Sequence, residues 1–354
     1  MANSVTIVIP AFNSELTLGP CLDSVVPLLA SGEAEQIIVV DDGSTDSTAE
    51  VAARHPVRLV GTGHVGRSAA RNLGWQTATA DLVWFIDSDC VSSRKGLRYV
   101  RPHFNDPRVG AVGGSFTNAC PGSWLARLIQ EEFAARHRRM GLRVTFLATA
   151  NVVYRRDVLE ELGGFDESLA DAEDADLAFR AGDADHELRF ELRSKVAHRH
   201  DTRLWPYLKR QAAQGYWRVA LYQRHPERAT GDSYSGMIDH LQPPVALAML
   251  VAFAFAPVAH VAGLTLPSSA HLVAIGAGLA VTLALLQAPM ATRIITSTQD
   301  VSCISFVAMS WLRAVARGVG LTAGLLAHIF GQLPSPGGNV HSEPTRRPQD
   351  RSEN

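Results

Sequence analysis

The run Trp84-Phe85-Ile86-Asp87-Ser88-Asp89 constrains this chain more than any other segment. An apolar stretch ends abruptly in two carboxylates spaced Asp-x-Asp, the pattern of a buried strand opening into a loop. Two hard oxygen donors aimed at one point suit Mg²⁺ or Mn²⁺, and such ions usually arrive with a diphosphate. A solvated acidic turn has the same spacing, so the flanking sequence must decide between the two.

That flanking sequence repeats one pattern. Val5 to Ile9 is a short apolar run stopped by Pro10-Ala11-Phe12-Asn13; Ser14 is an N-cap candidate, and Leu18, Leu22, Val25, Val26 and Leu29 follow at helical spacing. Ile37 to Val40 predicts a second strand, ending in Asp41-Asp42-Gly43-Ser44-Thr45-Asp46, with a helix from Ser47 to about Arg54 behind it. Val57 to Val60 predicts a third strand, Gly61 to Gly66 a loop, Ala70-Arg71-Asn72-Leu73-Gly74 part of a helix, and Leu82 to Ile86 a fourth strand. Strands alternating with helices predict a doubly wound, mostly parallel α/β sheet, in which ligands bind beyond the carboxyl ends of the strands. The three polar segments fall on that one rim.

In these segments the chain resembles the family 2 glycosyltransferases of the GT-A fold. The resemblance rests on Ile9-Pro10-Ala11-Phe12-Asn13, Val40 to Asp46, Ala70 to Gly74 and Asp87-Ser88-Asp89, and continues through Gly163-Gly164-Phe165-Asp166-Glu167 and Glu173-Asp174-Ala175-Asp176-Leu177-Ala178-Phe179-Arg180. It covers about residues 4 to 225 and implies transfer of a hexosyl or related sugar from a nucleoside-diphosphate sugar, with UDP the preferred nucleotide, to a hydroxyl of a lipid-linked or glycan acceptor of the cell envelope. By resemblance Asp42 accepts the uracil N3 hydrogen, Phe12 stacks on the base, Pro10 lines its pocket and Arg71 helps hold the nucleotide. Asp89 is implied as a ligand of Mg²⁺ or Mn²⁺, with Asp87 on the ribose or the metal shell, Ser88 between them, and Asn151 beside the donor sugar. His198 and His200 follow a short apolar run and alternate onto one face of it. Some family members complete the metal shell with a histidine here, and His198 is preferred over His200. Asp174 opens a helix, where the dipole favours an ionised carboxylate; it is implied as the base that takes the acceptor proton. One base in a direct displacement implies inversion. Gly164, Phe165, Glu173 and His200 are implied on the acceptor side. Two other classes remain open at this point: a catalytically silent membrane scaffold of the same fold, and a nucleotidyltransferase.

Composition adds the setting. The formal net charge is −2, so no nucleic-acid partner is expected. The basic residues are nearly all Arg, which with abundant Ala suggests a bacterial source. The four cysteines are scattered, without the spacing of a zinc site or a disulfide framework. The N-terminus shows no basic start and apolar stretch of a signal peptide. Residues 243–289 instead hold two apolar spans, Pro243 to Leu266 and Ala270 to Pro289, each long enough for a bilayer, which takes about 20 residues. The loop between them lacks Lys and Arg, whereas many Arg precede the first span and Arg293, Arg313 and Arg317 follow the second, which places the 1–225 domain on the cytoplasmic face. Residues 226–242 read as a juxtamembrane linker. Residues 290–333 carry Arg313 and Arg317 mid-segment, costly in a bilayer, so an interfacial helix or a re-entrant segment is favoured over a third span. The tail 334–354 is Pro-, Ser- and charge-rich and is expected to be disordered. A cut after about residue 235 is expected to leave a more soluble domain.

Overall fold

The computed structural model describes residues 4–334; the tail expected to be disordered lies, after Pro334, outside the described residues. The first half is built as alternating strands and helices: β1 (Val5–Ala11), α1 (Leu18–Ala30), β2 (Gln36–Asp41), α2 (Thr48–Ala53), β3 (Arg58–Gly61), α3 (Arg67–Thr77) and β4 (Leu82–Ile86). The chain continues through β5 (Cys90–Ser92), α4 (Gly96–Val100), β6 (Val109–Asn118), α5 (Trp124–His137), β7 (Arg143–Val144), β8 (Asn151–Arg155), α6 (Arg156–Leu162), α7 (Glu173–Asp183) and β9 (Glu187–His198). One sheet takes in all of these strands in the order β3-β2-β1-β4-β8-β6-β9-β5, with β7 paired to β9.

The sheet changes character at its middle. β1 to β4 pair in parallel, but β8 enters antiparallel between β4 and β6, and β5 closes the edge antiparallel to β9. Of these, β1, β2 and β4 are buried on both faces, so they read as continuous apolar runs rather than alternating ones, whereas the edge strand β3 is largely exposed. Ile7, Ile9, Ile37, Val39, Trp84 and Ile86 enter one core layer, while Val8, Ile38, Val40, Val83 and Phe85 enter the other. Ser14 does not cap α1. That helix starts after Thr17, and the Ser14 hydroxyl lies 2.9 Å from that of Ser88.

Four long helices follow: α8 (Leu204–Arg224), α9 (Met237–Val261), α10 (Ser269–Thr298) and α11 (Phe306–Ile329). Three helical segments, Met237–Val261, Ser269–Thr298 and Val301–Ile329, are long and apolar enough to cross a membrane. The 30 residues of α10 span about 45 Å at 1.5 Å per residue, ample for a hydrocarbon core of about 30 Å. α9 and α10 form the hairpin. α11 differs from both. It is one uninterrupted helix, so the re-entrant alternative does not hold. It runs parallel to α8 in close contact: a Cβ on Gly320 would meet the Ala212 carbonyl oxygen at 1.9 Å, and one on Gly324 the Tyr216 carbonyl oxygen at 2.6 Å. Near its start Phe306 and Met309 pack with Leu125 and Leu128 of α5, and near its end Ala327 packs with Leu169. Both ends of α11 therefore touch the α/β domain.

Arg313 is the reason an apolar helix can lie there. It is buried, and its guanidinium donates to the Glu132 carboxylate of α5 and to Ser310. Arg136 holds the other oxygen of Glu132 at 2.8 Å and pairs with Asp239, at the start of α9, at 2.7 Å. Burial would raise the Glu132 carboxyl, but Arg313 and Arg136 bring it down to about 2. The membrane-type helices are thus bolted to the α/β domain by a buried ionic cluster, and a cut near residue 235 would leave Glu132 without Arg313. A cleanly released soluble domain is not what this packing favours.

Candidate active site

The rim beyond β1, β2 and β4 holds the donor-type residues. Pro10 lies in β1 in register with Val40, and Phe12 just past it is 44% exposed. Its ring lies 4.2 Å from that of His64, at 30°. Asp42 is buried: Oδ1 accepts from Thr62 Oγ1 at 2.6 Å and from the Val65 N–H at 2.7 Å, while Oδ2 accepts from the Gly66 N–H at 2.9 Å. A carboxylate offers about four acceptor positions, so one remains for a ligand.

Asp87 and Asp89 leave the end of β4, and the helix α3 supports them from below. Arg71 is buried and donates from Nη2 to Asp87 Oδ1 at 2.8 Å and from Nη1 to Glu173 Oε1 at 2.7 Å. Arg71 thus acts as a strut between the two halves of the cleft, tying Asp87 to Glu173. Glu173, also buried, is the other end of that strut rather than an acceptor contact. Asn72 does the same one residue on, donating to the Phe165 carbonyl at 2.9 Å and accepting from the Phe165 N–H at 2.8 Å. Phe165 is buried edge-on against Phe85, 5.2 Å between centroids, beneath the site and not on the acceptor side. Gly164 serves that turn: its φ is +73°, and a Cβ would meet Asn72 Oδ1 at 2.4 Å. Asn151 is also corrected. It lies inside the sheet, accepting from Trp84 Nε1 at 3.1 Å and donating to the Ser194 carbonyl at 3.2 Å, with no polar atom left for a sugar in that arrangement.

Of the two histidines, the structure turns His198 to the acidic motif: His198 Nε2 is 3.7 Å from Asp89 Oδ2. The hydrogen bonds behind it assign its tautomer. Gln130 Nε2 donates to the Phe116 carbonyl at 2.9 Å, so Gln130 Oε1 is the acceptor for His200 Nε2–H at 2.9 Å. Burial pushes His200 down to about 3, so the ring is neutral and its Nδ1 accepts from His198 Nδ1–H at 2.9 Å. In the neutral ring that proton arrangement leaves the His198 Nε2 lone pair facing Asp89. Burial raises the Asp89 carboxyl, with His198 opposing and Asp87 adding to the shift. Cys90 belongs to the same group of donors, but its thiol is buried and held well above its usual range, chiefly by burial.

Asp174 lies in the first turn of α7. Burial, then Glu173 and Asp171, push its carboxyl up to about 7. Asp174, His198 and His200 line one cavity of about 280 Å³, walled further by α5, α8, α11 and the start of α9. Sequence reasoning passed over His64, Gln130 and Asp171, because none lies in a motif; each acts on a motif residue from elsewhere in the chain.

Residues 6–163 match the family model described as Glycosyl transferase family 2. The pre-mycofactocin glycosyltransferase of Mycobacterium tuberculosis is 32% identical over 248 residues, 66% of this chain and 50% of that protein. Glycosyltransferase AglE of Haloferax volcanii is 27% identical over 193 residues, 52% of this chain and 64% of that one. The chain thus spans between half and two thirds of the length of these two relatives. The mannosyltransferase PcManGT of Pyrobaculum calidifontis, solved with GDP-Man and Mn²⁺, superposes with a TM-score of 0.59 at 18% identity, covering 91% of this chain and 88% of that one. The likeness shows a shared GT-A fold. With the motifs on one rim and this sheet order, residues 6–163 form a domain of glycosyl transferase family 2.

Proposed function

We propose that the chain is an inverting, divalent-metal-dependent glycosyltransferase that uses a nucleoside-diphosphate sugar, with UDP preferred, and a hydroxyl acceptor on a lipid or cell-surface glycan. One observation carries the reading: the carboxylate poised near neutrality, Asp174, and the imidazole facing Asp89, His198, open into the same cavity. Asp89 and His198 fit an ion that accepts both oxygen and imidazole nitrogen, which favours Mn²⁺ over Mg²⁺. When bound there, the ion supplies Lewis-acid stabilisation of the departing diphosphate. Asp42 offers its remaining acceptor position to the base N3–H, with Phe12 as the stacking face. Asp87, held by Arg71, stays ionised beside the ribose or the metal shell.

In the transfer step the acceptor oxygen forms a bond to the anomeric carbon on the face opposite the diphosphate. The bond from that carbon to the diphosphate oxygen breaks, and the nucleoside diphosphate leaves with the electron pair. Asp174 takes the hydroxyl proton. A base that titrates near 7 is matched to work at neutral pH.

The setting is read from the helices. α9 and α10 cross a bacterial cytoplasmic membrane as a hairpin, with the domain on the cytoplasmic side. α11 lies at the interface, because it follows α8 along the domain while Val319, Leu325, Leu326 and Ile329 face outward. The test is a panel of UDP-, GDP- and dTDP-sugars with purified full-length protein and Mn²⁺. Nucleoside diphosphate should be released from one sugar class and only with metal. Release of nucleoside monophosphate or pyrophosphate would point to a nucleotidyltransferase, and no turnover with any donor to a scaffold.

A further inference from the structure

Five arginines line the cavity, and most of them are already paired. Arg313 and Arg136 share Glu132, Arg136 also holds Asp239, and Arg210 holds Asp201 at 2.8 Å. Arg317 and Arg218 line the same cavity and have only neutral partners. Arg317 donates from Nε to Gln211 Oε1 at 2.8 Å and from Nη2 to Gln214 Oε1 at 3.2 Å. Arg218 donates to the Tyr222 hydroxyl at 2.9 Å. Asp232 also lines the cavity, but its carboxylate accepts from the Tyr234 and Ser235 N–H groups, and among the described residues it forms no ion pair with either arginine.

A guanidinium on an otherwise apolar helix is costly unless a charge answers it, and one turn earlier Arg313 has its answer in Glu132. Arg317 has none. From α8 and α11, Arg218 and Arg317 leave unused N–H donors to the cavity, the fork geometry that suits phosphate oxygens. The donor diphosphate belongs with Asp87, Asp89 and His198, and among the described residues none of these forms an ion pair with Arg218 or Arg317.

We propose that Arg218 and Arg317 form an anion subsite that anchors a phosphate group carried by the acceptor, leaving the acceptor hydroxyl toward Asp174. The proposal rests on the glycosyltransferase reading. Because the subsite is walled by α11, whose outer face is apolar, a lipid phosphate reaches it from the membrane; a water-soluble phosphorylated acceptor offers the same chemistry.

Calorimetry on full-length protein in a neutral detergent tests this with three probes: farnesyl monophosphate, farnesol and inorganic phosphate. Farnesyl phosphate should bind at least about tenfold more tightly than farnesol. Arg317→Gln and Arg218→Gln should each weaken it by about ten- to a hundredfold, the worth of a charged hydrogen bond, and Arg317→Lys by less. The affinity of the same preparations for UDP with Mn²⁺ should stay at the wild-type value, which certifies the fold and the donor end. Binding of inorganic phosphate with the same sensitivity to the variants, without binding of farnesyl phosphate, would support the subsite and assign it to a soluble acceptor. Equal binding of farnesol and farnesyl phosphate would overturn the proposal. So would phosphate probes indifferent to both Gln variants. Loss of UDP and Mn²⁺ binding in the wild-type protein would count against the glycosyltransferase reading instead.

Discussion

At the donor end, Asp42, Asp87 and Asp89 each follow a buried parallel strand by one to three residues, and the sheet register alone brings them to one rim. At the acceptor end, Asp174, Arg218, Arg317 and Glu132 come from four different helices. They meet only because contacts such as Arg313 to Glu132, 181 positions apart, hold those helices together. The donor end is thus fixed by the backbone of one layer and the acceptor end by side chains between layers. The two ends should fail differently: substitutions at the first should remove chemistry and leave the fold, and breaking the Arg313–Glu132 contact that holds the second together should disturb the fold.

The largest effect is expected at the donor end. Asp89→Ala should bring metal-dependent release of nucleoside diphosphate to background, as should a chelator with the unaltered protein; thermal unfolding should change little. Activity that persists in the variant would remove Asp89 from the metal site.

Asp174→Asn comes next and tests the border between the ends. A lost general base costs about 10²- to 10⁴-fold in rate, and affinity for UDP and Mn²⁺ should be kept. The rate of the unaltered enzyme should rise with pH and level off above about 7, since only the ionised carboxylate accepts a proton. The stability effect has the opposite sign. The folded-state value, about 7, is above the ordinary 3.8, so the folded chain binds the extra proton between them. The stability Asp174 contributes is therefore full below about 3.8 and lost as pH rises through about 7. Asp174→Asn should melt higher than wild type at pH 8, a gain that shrinks toward pH 4. A flat pH profile would break the assignment.

At the acceptor end, Arg313→Met leaves Glu132 buried with one partner fewer. Removing one member of a buried ion pair costs about 3–5 kcal/mol, and the double variant Glu132→Leu/Arg313→Met should recover part of it. Denaturant unfolding of the detergent-solubilised chain reads both; additive losses would mean that the two residues do not act as a pair.

The smallest effect is expected behind His198. Gln130→Leu removes the acceptor that fixes the His200 and His198 tautomers and should weaken Mn²⁺ binding by about ten- to a hundredfold. Nitrogen-15 NMR of the imidazoles should show Nε2 of His198 unprotonated in the unaltered protein and a mixture of tautomers in the variant.

This contrast also explains what could be read in the sequence. The strands, the rim and the acidic motifs were legible because each is local: an apolar run and its polar stop are neighbours in the chain. Asp174 was legible as the acidic start of a helix. The supporting contacts of Arg71, Glu173, Asn151 and Phe165 were not legible, since a motif does not say which way a side chain faces; all four are buried. The choice between His198 and His200 needed Gln130, about 70 residues earlier and in no motif. Arg313 and Arg317 were legible only as a misfit, charges in an apolar segment, and their partners on α5 and α8 could not be found by periodicity.

The most direct test of the central claim uses water as the acceptor. Full-length protein is incubated with Mn²⁺ and the UDP-sugar that the panel selects, and proton NMR follows the free sugar in the first minutes, before mutarotation mixes the anomers. A single displacement assisted by Asp174 predicts that the sugar appears first with the anomeric configuration opposite to the donor, and that Asp174→Asn or a chelator suppresses its appearance. First appearance of the donor's own configuration would contradict the account.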